Sequence, residues 1–147
     1  MVKVEKSVLI ERSAQQMFDL VDDVESYPKF LPWCSQTRVE FRDEAKTIAT
    51  LHISFLNVKS HFTTENEKVA PSRMVIRLVD GPFRRLEGVW AFKALAENAC
   101  KIDFQLSYEF STVLFEKIIG PVFGKISNTL VEAFVKRADE VYGVSNV

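Results

Sequence analysis

Hydrophobic spacing divides the chain into a strand, a helical stretch, a long run of strands and a final helix. Residues 2–11 alternate, with Val2, Val4, Val8 and Ile10 on one face and Lys3, Glu5 and Glu11 on the other, so a strand is predicted; Lys6 interrupts its apolar face. Ser13 stands three residues before Gln16, the spacing of a capping box, and Met17, Phe18, Leu20 and Val21 supply the apolar stripe of a short helix. From Asp22 to Cys34 two prolines, Pro28 and Pro32, sit among aromatic residues, which predicts a second brief helix and then a loop. From about residue 35 to 110 the period is two. The apolar runs are Val39 and Phe41; Ala49, Leu51, Ile53 and Phe55; Met74, Ile76 and Leu78; Leu86, Trp90 and Phe92; and Ile102, Phe104, Leu106, Tyr108 and Phe110. Turn signals at Asp43-Glu44, Asn57, Ala70-Pro71-Ser72, Asp80-Gly81-Pro82 and Glu97-Asn98 space these runs as an antiparallel meander of about six strands. Residues 113–142 return to helical spacing through Phe115, Ile118, Ile119, Val122, Ile126, Leu130, Phe134 and Val141, with Gly143 suited to the C-terminal cap. Gly120-Pro121 lies inside that helix, where proline removes a donor and crowds the preceding turn, so a kink or break near Ile119 is expected.

A sheet with one apolar face must cover it, and the final helix is the only element long enough to do so. The expected fold is therefore α+β of the helix-grip kind: one domain over residues 1–147, a curved antiparallel sheet of about seven strands around a long C-terminal helix, and two short helices after the first strand. Space left between helix and sheet becomes an internal cavity lined by the inward aromatic residues.

Composition narrows the class. At 147 residues, one domain can bury roughly 70% of its unfolded surface, and 47% hydrophobic with 27% charged residues is ordinary for a globular protein. No stretch comes near the ~20 consecutive apolar residues of a membrane span, and alternation from the second residue gives neither a signal peptide nor a transit segment, so the chain is expected to stay where it is made. A net charge of −1 weighs against gripping nucleic acid as the main task, and DNA is not expected as a partner. Cys34 and Cys100 lack a second ligand pair nearby and are expected as reduced thiols.

Candidate chemistry is sparse. His52 and His61 flank the turn at Asn57 and could approach each other, but no carboxylate stands at a fixed ligand offset, and His61 alternates with the inward Phe62; surface histidines are expected. No phosphate loop, metalloprotease motif or nucleophile elbow is present. Glu109, between Tyr108 and Phe110, is expected to be solvated rather than catalytic, and Cys34 to be a small buried hydrophobe. The loop carrying Tyr27, Phe30, Leu31 and Trp33 could be core or a ligand mouth. Gly81 and Pro82 suit a tight turn, with Phe83 overhanging the cavity. Lys136 and Arg137 are expected to complement the dipole of the last helix. A helix broken at Gly120-Pro121 could swing one half and open the interior. Without a charged or nucleophilic cluster, no enzyme is expected.

Three stretches together resemble a known family: Tyr27-Pro28-Lys29-Phe30-Leu31-Pro32-Trp33-Cys34; Asp80-Gly81-Pro82-Phe83 followed by Leu86-Glu87-Gly88-Val89-Trp90-Ala91-Phe92; and Ala133-Phe134-Val135-Lys136-Arg137-Ala138. They resemble the coenzyme-Q-binding branch of the START and polyketide-cyclase superfamily, and within it the bacterial RatA-like proteins. The resemblance implies a helix-grip fold and non-catalytic binding of ubiquinone or a similar lipid in support of respiratory electron transfer. It also implies a bacterial cytoplasmic setting, with transient contact at the inner membrane open. For some RatA-like relatives it implies instead a toxin that binds the large ribosomal subunit and blocks subunit association. An aromatic cyclase-like enzyme and a chaperone-like partner protein remain as further readings. Quinone is expected as bound ligand, with no obligatory cofactor and no metal. Face assignment puts Tyr27, Phe30, Leu31, Trp33, Phe62, Phe83, Leu86, Trp90, Phe104, Phe115, Ile119, Val122, Phe123, Ile126, Leu130 and Phe134 against it. The Tyr27 hydroxyl or the Trp33 indole would bond a quinone oxygen. The entrance is expected between the Tyr27–Cys34 loop, the Asp80–Phe83 turn and the Gly120-Pro121 kink.

Overall fold

Alternation and capping act in the order the sequence predicts. In the computed structural model, which describes residues 1–143, the first strand β1 (Val2–Ile10) leads into helix α1 (Ala14–Asp22) and a 3-10 helix, Val24–Lys29. Strands β2 (Cys34–Arg42), β3 (Lys46–Phe55), β4 (Val58–Val69), β5 (Arg73–Asp80), β6 (Phe83–Ala96) and β7 (Ala99–Phe110) follow, and helix α2 (Val113–Tyr142) ends the fold. The capping box forms: Ser13 Oγ accepts from the Gln16 amide at 3.0 Å while Gln16 Oε1 accepts from the Ser13 amide at 2.9 Å.

The seven strands make one sheet in the order β1-β7-β6-β5-β4-β3-β2, antiparallel at every pairing. Five turns close the meander. At Asp43 the carboxylate accepts from the Ala45 and Lys46 amides, each at 2.8 Å, holding the β2–β3 turn. Between β3 and β4 only Leu56 and Asn57 intervene, both at positive φ (48° and 65°), so a two-residue hairpin turn forms there without glycine. At the β5–β6 turn Gly81 has φ 148° and lies so close to β4 that an added Cβ would stand 2.7 Å from Phe62 Cβ.

Helix α2 crosses the concave face and is pinned at both ends. At its start Thr112 Oγ1 accepts from the Phe115 amide at 3.0 Å. Near its end the Arg12 guanidinium bonds Asp139 Oδ1 at 3.0 Å and the Gly143 carbonyl, and the Tyr142 hydroxyl donates to the Gln16 carbonyl at 2.9 Å. Ile119, Val122, Phe123, Ile126, Val131 and Phe134 face the sheet and are buried.

Five expectations need correction. The helix is continuous through Gly120-Pro121 rather than broken near Ile119; a single proline removes one intrahelical bond, and the end contacts and buried stripe hold the remainder in register. Phe115 is 38% exposed and Ile118 is exposed, as is every residue of α2 from 113 to 118. Apolar residues on both faces make α2, by length and composition alone, apolar enough to cross a membrane, contrary to the expectation that no segment comes near a span. Lys136 and Arg137 lie short of the last turn, which carries no basic residue; Arg137 instead covers the Phe30 ring at 5.1 Å and meets Glu140 at 3.4 Å. On β2 the predicted apolar face is only partly used: bulges after Cys34 and Val39 leave Phe41 exposed, with Lys46 over its ring at 5.4 Å.

Candidate ligand-binding cavity

Between α2 and the concave sheet lies a cavity of about 80 Å³. The sheet contributes Leu51, Phe62, Ile76, Leu86, Trp90, Phe104 and Leu106; α2 contributes Phe123, Ile126, Leu130 and Phe134; the 3-10 helix and the loop after it close one side with Val24, Tyr27 and Trp33. Aromatic edges set its walls. Trp90 lies 4.4 Å from Phe104 and 5.5 Å from Phe134, centroid to centroid, and Phe134 meets Tyr27 at 5.5 Å. The volume matches two or three waters at roughly 30 Å³ each, well under the roughly 300–1,000 Å³ of an occupied small-molecule pocket.

Ten of the sixteen positions assigned to the ligand from the sequence line this space: Tyr27, Trp33, Phe62, Leu86, Trp90, Phe104, Phe123, Ile126, Leu130 and Phe134. Leu31, Phe83, Ile119 and Val122 are buried elsewhere in the core. Phe83 stacks on Phe110 at 4.9 Å and meets Phe62 edge-on behind the wall. Phe30 packs outside, against Tyr27 and Phe134 under Arg137. Phe115 faces away from the cavity, as its exposure requires. The Tyr27 hydroxyl is committed: it donates to the Val21 carbonyl, and burial pushes its acidity far down, so it is a neutral structural bond and not a free donor at a mouth.

Three lining residues are polar: Thr64 and Asn66 on β4 and Ser127 on α2. All three are buried, at 5%, 8% and 1% exposure. The Thr64 hydroxyl donates to Asn66 Oδ1 at 3.1 Å, and the Ser127 hydroxyl donates to the Phe123 carbonyl at 2.9 Å. Along the same face of β4 the next inward residue is Lys68, whose ammonium meets both Asp22 carboxylate oxygens at 3.2 Å; the Thr47 hydroxyl donates to Asp22 at 3.3 Å. That pair lies beyond the cavity wall.

The wall carries no charged side chain, no histidine and no thiol. Cys34 is buried behind Trp33, and desolvation pushes its thiol up to about 11; burial raises the Cys100 thiol as well. His52 and His61 do meet across β3 and β4, with ring centroids 5.5 Å apart, on the outer face where His61 is exposed. Among the described residues no group of three His, Cys, Asp or Glu side chains could hold a metal ion. Glu109 stays partly solvated opposite Arg84 at 3.8 Å. The chemistry of the wall therefore suits a neutral, largely apolar group with a few hydrogen-bonding atoms, while the volume of about 80 Å³ is too small for one of ligand size.

The expected entrance is only partly placed. Tyr27 and Trp33 border the cavity, but the Asp80–Phe83 turn does not, and Gly120-Pro121 lines a separate groove of about 560 Å³ with Met1, Arg84, Glu109 and Thr112. That groove is open to solvent and mixes charges of both signs, which suits it poorly to an apolar ligand.

Residues 10–135 match the family described as polyketide cyclase / dehydrase and lipid transport. The chain is 41% identical over 143 residues to the ribosome association toxin RatA of Vibrio cholerae, covering 97% of this chain and 99% of that one. It is 29% identical over 150 residues to the mitochondrial coenzyme Q-binding protein COQ10 homolog B of Xenopus laevis, covering 99% of this chain and 62% of that one. A START superfamily protein from Mycobacterium smegmatis superposes with a TM-score of 0.78 at 19% identity, over 95% of this chain and 98% of that one.

Proposed function

Because the chain belongs to the polyketide cyclase / dehydrase and lipid transport family, we propose that it holds a neutral apolar small molecule, a polyprenyl quinone such as ubiquinone, under α2 without transforming it. The observation that carries this reading is the cavity wall: apolar and aromatic on every side, free of charge, with one small polar cluster. Resemblance to a coenzyme Q-binding protein at 29% identity supports the choice of quinone. Burial of prenyl chain would supply the affinity, at roughly 25 cal/mol per Å² before ordering costs.

Size sets a condition on this function. A substituted quinone ring does not enter about 80 Å³, so uptake must widen the space by moving α2 or the aromatic side chains that line it. Slow, temperature-sensitive uptake follows. The test is to purify the protein from a quinone-producing bacterium, extract it with organic solvent and identify lipids by mass spectrometry. A stoichiometric quinone is expected; absence of any lipid, together with failure to take up added ubiquinone, refutes the reading.

A second reading rests on a separate observation, the 41% identity to ribosome association toxins across nearly the full chain. On this reading the large ribosomal subunit would be the partner, and binding to it is compatible with an occupied cavity. Co-sedimentation with purified large subunits that weakens as salt is raised is the expected result; no co-sedimentation at low salt rejects it.

A further inference from the structure

The polar cluster in the cavity is a built feature. In β4 the inward positions run Phe62, Thr64, Asn66, so two polar side chains replace apolar ones where the wall is otherwise unbroken. Polar side chains are costly in such a place unless they are bonded. Thr64 gives its proton to Asn66 Oδ1 at 3.1 Å, which fixes the carboxamide with its oxygen toward Thr64. Among the described residues that is the one protein hydrogen bond made by the Asn66 side chain, and its NH2 group is left to the cavity. Ser127, across the space on α2, spends its proton on the Phe123 and Gly124 carbonyls at 2.9 and 3.2 Å and can only accept. Lys68, two residues further along β4, is engaged by both carboxylate oxygens of Asp22 and does not line the cavity.

We infer that Asn66 is the specificity-determining residue of the cavity: its NH2, oriented by Thr64, donates to a carbonyl oxygen of the bound molecule and draws the ligand's oxygenated end to the β4 side of the wall. The inference rests on the cavity-binding reading above and adds the class of ligand, one with a carbonyl acceptor on an apolar body. A pure hydrocarbon would leave the amide unpaired in a dry site, and the site discriminates against it for that reason.

The test compares decylubiquinone with decylbenzene, which carries the same alkyl chain on a ring without oxygen. Trp33 and Trp90, the chain's two tryptophans, both line the cavity, so their fluorescence reports occupancy, and calorimetry gives both affinities. The unaltered protein is expected to prefer decylubiquinone. N66A is expected to weaken decylubiquinone about fivefold to tenfold, the worth of one neutral hydrogen bond, while leaving decylbenzene unchanged or tighter. T64V, which frees the amide without removing it, is expected to give a smaller loss in the same direction and serves if N66A fails to fold. Equal affinities for the two probes, or equal losses of both in N66A and T64V, overturn the role of Asn66 while leaving cavity binding intact. Failure of the unaltered protein to bind either probe overturns both together.

Discussion

Replacing Phe134 by alanine tests whether α2 is locked onto the sheet by the aromatic cluster that also borders the cavity. The side chain is 1% exposed, and its ring meets Trp90, Tyr27 and Phe30 edge-on with centroids 5.5, 5.5 and 5.3 Å away. Truncating a buried phenylalanine costs about 3–5 kcal/mol, the spread reflecting how far the surroundings collapse. Collapse is restricted here. The Thr112 cap at one end and the Arg12 and Tyr142 contacts at the other hold α2 at its present height, and the lost ring would join a space that is already empty. A loss of about 4 kcal/mol is therefore expected. Urea unfolding followed by tryptophan fluorescence measures it; with a slope near 2 kcal/mol/M the midpoint should fall by about 2 M. F115A, on the same helix but at an exposed position, should change stability by no more than about 0.5 kcal/mol. A fall below about 1 M for F134A, or comparable falls for the two variants, would refute the claim that the Phe134 cluster carries the helix.

Three further outcomes are expected. Y27F should cost about 1 kcal/mol through the lost bond to the Val21 carbonyl and leave decylubiquinone affinity unchanged, as calorimetry and urea unfolding can show together. Cys34 should resist a thiol-specific disulfide reagent at about pH 8 in the folded protein and react on unfolding. Its thiol, raised to about 11 in the fold, stays protonated where the unfolded thiol ionises, so its contribution to stability is complete below about pH 8.5 and is lost as pH rises towards 11. C34A should flatten that alkaline decline in the urea midpoint. G81A should lose roughly 1–3 kcal/mol, since the new Cβ meets Phe62 Cβ at 2.7 Å in a backbone conformation that side chains disfavour; circular dichroism melting checks it.

Most of the fold was legible because each element answers to a local rule. Alternation located every strand except β4, which was bounded only by the turn signals at Asn57 and Ala70-Pro71-Ser72; the Ser13–Gln16 pair located the start of α1, and each turn fell at a polar or Gly/Pro signal. A kink or a break is expected at Gly120-Pro121, and the break does not occur, for a non-local reason. Whether a proline stops a helix depends on what holds the residues beyond it, and here those contacts come from Arg12 and Gln16, more than a hundred positions away in the chain. Phe115 misled in the same manner: helical spacing identifies a stripe but not where along it burial begins, here only at Ile119.

The least legible part is the part that matters most for recognition. Strand β4 reads Val58-Lys59-Ser60-His61-Phe62-Thr63-Thr64-Glu65-Asn66-Glu67-Lys68-Val69, and apart from Phe62 its interior shows no apolar alternation. Period-two reasoning takes polar residues as outward, and with both alternating sets polar it cannot decide whether Thr63, Glu65 and Glu67 or Thr64, Asn66 and Lys68 turn inward. The register decides it. Thr64 pairs with Ala49 and Leu78, and Asn66 with Thr47 and Ile76, all residues whose side chains share the concave face. One signal was available. The neighbouring strand β3 alternates Ala49, Leu51 and Ile53 inward, so a partner strand of this length cannot expose both faces to water, and its inward set must be Phe62, Thr64, Asn66 and Lys68. A polar row forced inward by its neighbours must find partners. Lys68 finds Asp22 and Thr64 finds Asn66, while the Asn66 amide is left facing the cavity. A strand that looks too polar for the middle of a sheet is thus where the specificity of an otherwise apolar site is to be sought.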